Sequence, residues 1–236
     1  MPDGTTKTVA IVQSSYIPWK GYFDLIRQSD EFILYDDAQY TKRDWRSRNR
    51  IKTPHGPIWL SIPVDVKGRY LQTIKDTRVS DPRWNERHLK TIAANYSRAP
   101  YYRRYKETID ELFLGCVSLS LSQINFRFLS RICEILAITT PISRSMDYAC
   151  AQAPGKNERL LDLCRRAGAT KYLSGPSARG YIDPRLFEAA GMTVGFMDYT
   201  GYPEYPQLHP PFDHYVSILD LLFSTGPDAV SYMRPA

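Results

Sequence analysis

Val9-Ala10-Ile11-Val12 runs straight into Gln13-Ser14-Ser15-Tyr16-Ile17-Pro18-Trp19-Lys20-Gly21-Tyr22-Phe23-Asp24-Leu25-Ile26. The apolar run reads as a central strand, and the segment after it as a loop opening a helix at about 21–29. In open α/β sheets the loops leaving the C-terminal strand ends converge on a crevice, and ligands bind there. A second strand, Glu31-Phe32-Ile33-Leu34-Tyr35, delivers Asp36, Asp37, Gln39, Tyr40 and Lys42 to the same rim. That rim is where an active site is expected.

Outward from this start the chain divides into three sections, read together as one domain over 1–236. Residues 8–80 are α/β, with a further short strand at Trp59-Leu60-Ser61-Ile62-Pro63-Val64 after the turn residues His55-Gly56. Residues 82–138 read as a helical subdomain. Its first helix starts at Pro82 and carries Trp84, His88, Leu89, Ile92 and Tyr96; a second begins near Tyr101 and a third spans about 118–137. Residues 141–236 return to α/β. Helices at Asn157–Ala167 and Pro184–Ala190 alternate with strands at Lys171–Ser174 and Thr193–Met197, the spacing of βαβ units. A proline-rich irregular segment then leads to a last helix at about 216–224. The fold class expected is α/β: a mixed or mostly parallel sheet flanked by helices, with a helical middle section.

Composition narrows the function. The chain has 236 residues, 43% hydrophobic and 24% charged, ordinary for a globular protein. Seventeen tyrosines, 4 Trp and 9 Phe suit a ligand cleft as well as a core. The net charge of +6 favours anionic partners, but 31 basic against 25 acidic residues is not the bias of a dedicated nucleic-acid binder. No 18-residue apolar run exists and the first residues lack the apolar stretch of a secretory signal, so neither a membrane span nor export is expected. Cys116, Cys133, Cys150 and Cys164 are unclustered and lack zinc spacing, which suits buried thiols in a reducing cytoplasm.

Several groups are candidates for chemistry. Lys42-Arg43-Asp44-Trp45-Arg46-Ser47-Arg48-Asn49-Arg50-Ile51-Lys52 is the densest cationic stretch and a candidate phosphate site; the alternative is a solvated loop or a charged strand face. Asp36 and Asp37 point to opposite sides of an extended chain, so one carboxylate is expected to face the cleft, as a general base or to bind a substrate amine or hydroxyl, and the other to cap or bind backbone. His88 lies on a helical core stripe. His209 and His214 sit near Tyr205, Gln207 and Asp213 in a loop placed to close over a site. No G-x-S-x-G, G-x-G-x-x-G or Walker A sequence occurs, so no cofactor follows from motif, and no metal cluster spacing is present. Cys150 is the best placed thiol nucleophile, although free cysteine is usually packing material.

These residues together resemble the WbqC-like family. The match starts at Val9–Gln13 with Tyr16, Pro18-Trp19 and Gly21-Tyr22-Phe23. It continues through Tyr35-Asp36-Asp37, Lys42, Trp45, Arg48–Lys52, Trp84, His88 and Tyr96. It closes with Tyr172–Gly175, Tyr181, Tyr205-Pro206-Gln207 and Ser217–Phe223. Ser14 departs from it, because the family pattern has proline after the glutamine. The resemblance implies a cytoplasmic enzyme of surface-polysaccharide (O-antigen) or natural-product biosynthesis. Its expected chemistry is transfer of an acyl or aminoacyl group to an amine or hydroxyl of a nucleotide-linked sugar or carrier-bound intermediate.

On that reading Asp36, Asp37 or His88 is the general base, and Arg48 and Lys42 hold phosphate. Gln13, Asn49 and Gln207 orient polar groups, while Gln39 and the aromatics Tyr16, Trp19, Tyr22, Trp45 and Tyr181 complete the substrate-binding set. The expected partner is a small anionic substrate, nucleotide- or phosphopantetheine-linked, with an acyl or peptidyl carrier protein as a further one. Nucleotidyl transfer and a non-catalytic binding module for an anionic ligand or carrier protein are the alternatives. The histidines that nucleotidyltransferases place at the first loop and helix start are missing here, where Trp19 and Tyr22 stand.

Overall fold

A computed structural model describes residues 6–116, 120–149 and 155–234. In chain order, β1 (Thr8–Val12) leads to α1 (Lys20–Arg27) and β2 (Glu31–Leu34), and β3 (Arg48–Thr53) and β4 (Gly56–Ser61) follow. Next come α2 (Trp84–Tyr96), α3 (Tyr102–Leu114) and α4 (Leu121–Ile135). The last part holds β5 (Ile142–Arg144), α5 (Lys156–Arg166), β6 (Lys171–Ser174), α6 (Pro184–Glu188), β7 (Thr193–Phe196) and α7 (Ile218–Thr225).

Five strands form one sheet in the order β5-β2-β1-β6-β7, every pairing parallel. β1 is central. Its side chains alternate between two apolar clusters: Ala10 packs with Phe23, Phe32 and the middle helices, Val9 and Ile11 with Leu160, Cys164, Tyr172 and Phe187. Both faces are covered, which is why the strand reads as an unbroken apolar run and not as an alternating one. From β1 the chain builds outward through β2 and β5, then returns to lay β6 on the other side of β1. The connections therefore part between β1 and β6, and a crevice is left at the C-terminal ends of those strands. The sheet is the expected α/β architecture, and it puts the switch point at the end of the opening strand.

The middle helices form as their stripes predict. Trp84, His88, Ile92 and Tyr96 make the buried face of α2. The cationic stretch takes the charged-strand alternative in its second half, and one further strand carries no sequence signal. The second half of the cationic stretch is β3, paired antiparallel with β4 from Arg48↔Ser61 to Thr53↔Gly56. Its period-two signal is hidden by cations at both kinds of position, since Lys52 is buried and its ammonium is bonded to the Pro211 carbonyl. The turn between them needs Gly56, whose φ of +102° carries no steric penalty only for glycine. β5 is three residues long, too short for periodicity to register.

Among the described residues no helix is long and apolar enough to cross a membrane. Cys116, Cys133 and Cys164 are buried free thiols. Burial pushes Cys116 up to about 11 and both Cys133 and Cys164 up to about 12, so these thiols stay protonated and unreactive at neutral pH. Cys150, and residues 118 and 119 at the expected start of the third helix, lie outside the described residues.

Candidate functional site

A crevice of about 560 Å³ opens at the predicted switch point. Val12 and Gln13 reach it from β1, Ser174 and Gly175 from β6, and Gln39 from beyond β2. Five tyrosines, Tyr22, Tyr35, Tyr172, Tyr181 and Tyr199, line it. Its charges are all positive: Arg46, with Lys156 and Arg159 from the first turns of α5. The partial positive charge at the N-terminus of α5 adds to theirs. No Asp, Glu, His or Cys is among the described residues that line it.

A second cavity of about 300 Å³ adjoins the first and shares Val12, Tyr22 and Arg46 with it. Its other walls are Ser15, Pro18, Trp19, Trp45, Asn49 and Tyr215. The loop that forms its floor is pinned by Asn49, whose Nδ2 donates to the carbonyls of Tyr16 (3.1 Å) and Ile17 (2.9 Å). Those bonds hold Ile17 at a φ of +36°, a conformation that costs a β-branched residue about 1–3 kcal/mol. Trp19 packs edge-on against Tyr199 (5.0 Å) and Tyr202 (5.8 Å).

Trp19 can lie there only because residue 21 has no Cβ, which would stand 2.4 Å from the indole. Gly21→Ala is expected to push Trp19 into the smaller cavity and destabilise the fold by about 1–3 kcal/mol. Chemical denaturation and the accessibility of tryptophan fluorescence to a quencher would measure this; an unchanged midpoint and quenching constant would show that the indole has no such constraint.

Arg46 stands at the seam of the two cavities. It is 9% exposed, and its Nη1 donates to the Gln13 carbonyl at 2.8 Å and to Gln13 Oε1 at 3.2 Å. Its Nε is buried with no partner. Tyr22 donates to the same Gln13 carbonyl at 3.0 Å, and burial raises its pKa well above the usual phenol value, so it remains a neutral donor. The charge of Arg46 reaches the buried Asp36 carboxylate and lowers its pKa, but a buried guanidinium N–H without a hydrogen-bond partner is still costly.

The family model of the WbqC-like protein family matches residues 13–232. The chain belongs to the WbqC-like protein family. It is also 49% identical over 228 residues to the uncharacterized protein Rv1507c of Mycobacterium tuberculosis, covering 97% of this chain and 98% of that one. No solved structure matches it.

In this WbqC-like protein the residues singled out by sequence fall into two groups. Gln13, Tyr22, Gln39 and Tyr181 line the cationic chamber, and Trp19, Tyr22, Trp45 and Asn49 the aromatic one. The rest do not line either cavity. Asp36 is fully buried, accepting from the Ser14 N–H at 2.9 Å and from the Ser122 hydroxyl, and burial raises its pKa despite both bonds. It fastens the end of β2 to the loop after β1 and to α4. Asp37 is half-buried, bonded to Lys75 and to Ser145 Oγ at 2.6 Å. Burial pushes it up, but those bonds and the charges of Lys75 and Arg159 outweigh this and hold it below the ordinary carboxylate value.

His88 lies in the core, with Tyr16 Oη 2.8 Å from Nδ1 and the Ser61 carbonyl 3.2 Å from Nε2. Tyr16, its partner, is wholly buried. Arg48 stacks 4.0 Å over the Trp59 ring, and Lys42 is exposed. Gln207 binds Tyr205 Oη (3.1 Å) and the Asp213 backbone (2.8 Å), bracing the proline-rich segment. His209 Nε2 donates to the Asn95 carbonyl at 3.0 Å, tying the proline-rich segment to α2.

Ser14 is used structurally: its N–H serves Asp36 and its Oγ accepts from Asn125 at 2.9 Å, roles that the expected proline could not fill. Spacing does not say which of several cations between residues 42 and 52 is buried, so Arg46 does not stand out in the sequence. Arg159 and Ser174 do not stand out either. The strand at 171–174 was recognised, so placing it beside β1 would have pointed to Ser174-Gly175; Arg159 carried no signal beyond its place near a helix start.

Proposed function

We propose that this WbqC-like protein is a transferase that moves an acyl or aminoacyl group from an anionic, nucleotide- or phosphopantetheine-linked donor to an amine or hydroxyl. The acceptor is a nucleotide-linked sugar or a carrier-bound intermediate of surface-polysaccharide or natural-product biosynthesis, the setting that the family resemblance implies. The observation that carries this reading is the pair of cavities joined at Arg46, one cationic and rimmed by tyrosines, the other aromatic. An anion and an uncharged group held side by side across a guanidinium is the arrangement transfer between two substrates requires.

In the reaction the acceptor nitrogen or oxygen attacks the acyl carbonyl carbon. The bond from that carbon to the donor's sulfur or oxygen then breaks, and the acceptor's proton leaves with the departing group or to water. Lys156 and Arg159 hold the phosphates, and Arg46 faces the oxygen on which charge develops. The cavity linings contain no carboxylate, imidazole or thiol among the described residues, so rate enhancement falls to positioning and to this charge. The same lining favours a second reading, a non-catalytic binding module for an anionic ligand, which would bind without turnover.

Uridine diphosphate and its sugar conjugates are expected to raise the melting temperature, because they bind only the folded chain. Arg159→Ala should weaken uridine diphosphate about tenfold in calorimetric titration, the loss of one charge-assisted contact, with stability changed by less than about 0.5 kcal/mol at this exposed position. Failure of nucleotides, nucleotide sugars and coenzyme A derivatives alike to bind the wild-type chain would sink the reading.

A further inference from the structure

The aromatic cavity has a chemistry of its own. Val12, Pro18, Trp19, Trp45 and Tyr215 give it carbon walls. Its polar groups are largely committed inside the protein: Asn49 Nδ2 to the Tyr16 and Ile17 carbonyls, Asn49 Oδ1 to the Arg50 N–H at 2.8 Å, and Tyr22 Oη to the Gln13 carbonyl. A sugar seated here would lose its water and find few free partners, which is costly for each buried hydroxyl. The charge in the lining is the guanidinium of Arg46, on a side chain nine-tenths buried, with Nη1 bonded to Gln13 and Nε enclosed by protein without a hydrogen-bond partner.

Such a pocket suits a ligand that is apolar along its length and negative at one end. At about 300 Å³ the space lies at the small end of ligand pockets, enough for a short chain and too little for a lipid. Its mouth is flanked by Trp45 and Tyr215, which are 41% and 63% exposed. Trp45 continues outward to Trp59, with ring centroids 5.2 Å apart.

We infer that this cavity is a binding site for a short apolar acyl chain, its carboxyl or carbonyl end on Arg46 and its carbons between Trp19, Trp45 and Tyr215. The identity of the chain as the transferred group rests on the transferase reading above; the binding itself does not. The site sorts substrates by length, because each methylene gains affinity only while the walls can still cover it.

Straight-chain carboxylates from butanoate to dodecanoate, titrated against the full-length protein and followed by tryptophan fluorescence, test this. Affinity is expected to rise about fourfold per methylene and then level off once the cavity is full. An alkylamine of the best length should bind at least about tenfold more weakly than the acid, since it meets Arg46 with a like charge. Trp45→Ala and Tyr215→Ala, the two exposed aromatics of the lining, should each weaken the best acid about tenfold, with the thermal midpoint of each variant confirming its fold.

Affinity independent of chain length, equal binding of acid and amine, or acids unaffected by both substitutions would overturn the inference. Uridine diphosphate is titrated in parallel with the wild-type chain. If it binds and the acids do not, the acyl site falls and the anion chamber stands. If the acids bind by length and no nucleotide or coenzyme A derivative does, the acyl site stands and the transferase reading falls.

Discussion

Arg46→Met is expected to weaken ligands of both cavities at once, uridine diphosphate and the best-fitting carboxylate each by about 10- to 100-fold. A hydrogen bond to a charged group is worth about 1.5–3 kcal/mol, which gives losses of that size. Substitutions elsewhere should act more locally, because Lys156 and Arg159 line the cationic chamber alone and Trp45 the aromatic one alone. Stability should change little. The variant loses the Nη1 bonds to Gln13, worth about 1 kcal/mol, but it also removes a buried Nε that has no partner. Arg46→Lys keeps the charge without the planar fork, so it should recover part of the binding and not all. Calorimetric titration of both ligands against the three proteins decides it. Retention of both affinities within about twofold in Arg46→Met would remove Arg46 from the centre of the site.

The second large effect is on stability. Burial lowers the pKa of His88 from 6.5 to about 4, against the opposing effect of its bond to the Ser61 carbonyl. The unfolded chain therefore takes up a proton near pH 6.5 that the folded chain refuses until about pH 4. The unfolded state binds more protons in that window, so stability falls as the pH falls through it. The loss attributable to His88 is about 3 kcal/mol between pH 7 and pH 4.

Other groups titrate in the same range. Asp36 and Asp220, whose pKa values burial raises, act in the opposite sense, while Asp37 and Glu31, held low by their partners, add to the loss at the acid end. Comparison with His88→Gln cancels these contributions. Between pH 7 and pH 4 the wild-type chain should lose about 3 kcal/mol more than the variant in urea unfolding. Parallel curves would mean that His88 is not held neutral. In the folded chain that imidazole is bonded to Tyr16 and the Ser61 carbonyl, is 7% exposed and lines neither cavity.

Sequence reading reached the site's place more readily than its working residues. Gln13, Trp19 and Tyr22 are legible because they crowd the exit of an unmistakable central strand, and Trp45 because it is the one aromatic in the densest cationic stretch. Asp36 carries the same kind of signal and has a different use. A carboxylate at a strand end looks identical in sequence whether it faces a cleft or, as here, accepts from Ser14 and Ser122 inside the protein. Burial depends on what the far chain lays over that strand end. For Asp36 this is α4, some 86 residues away in sequence.

The sequence alone determined the central strand, the α/β class, the helical middle section and the family. All of these rest on local periodicity or on motifs read along the chain, and local propensities suffice for them. Only the tertiary structure decided that the chain returns to place β6 beside β1, that Arg46 of all the cations is buried at the seam, and that Lys156 and Arg159 come to face it. Those facts depend on contacts far apart in the chain, from 33 positions for Arg46 and Gln13 to 163 for Thr8 and Lys171. Such contacts are set by which apolar faces cover one another, and no window of sequence contains both partners.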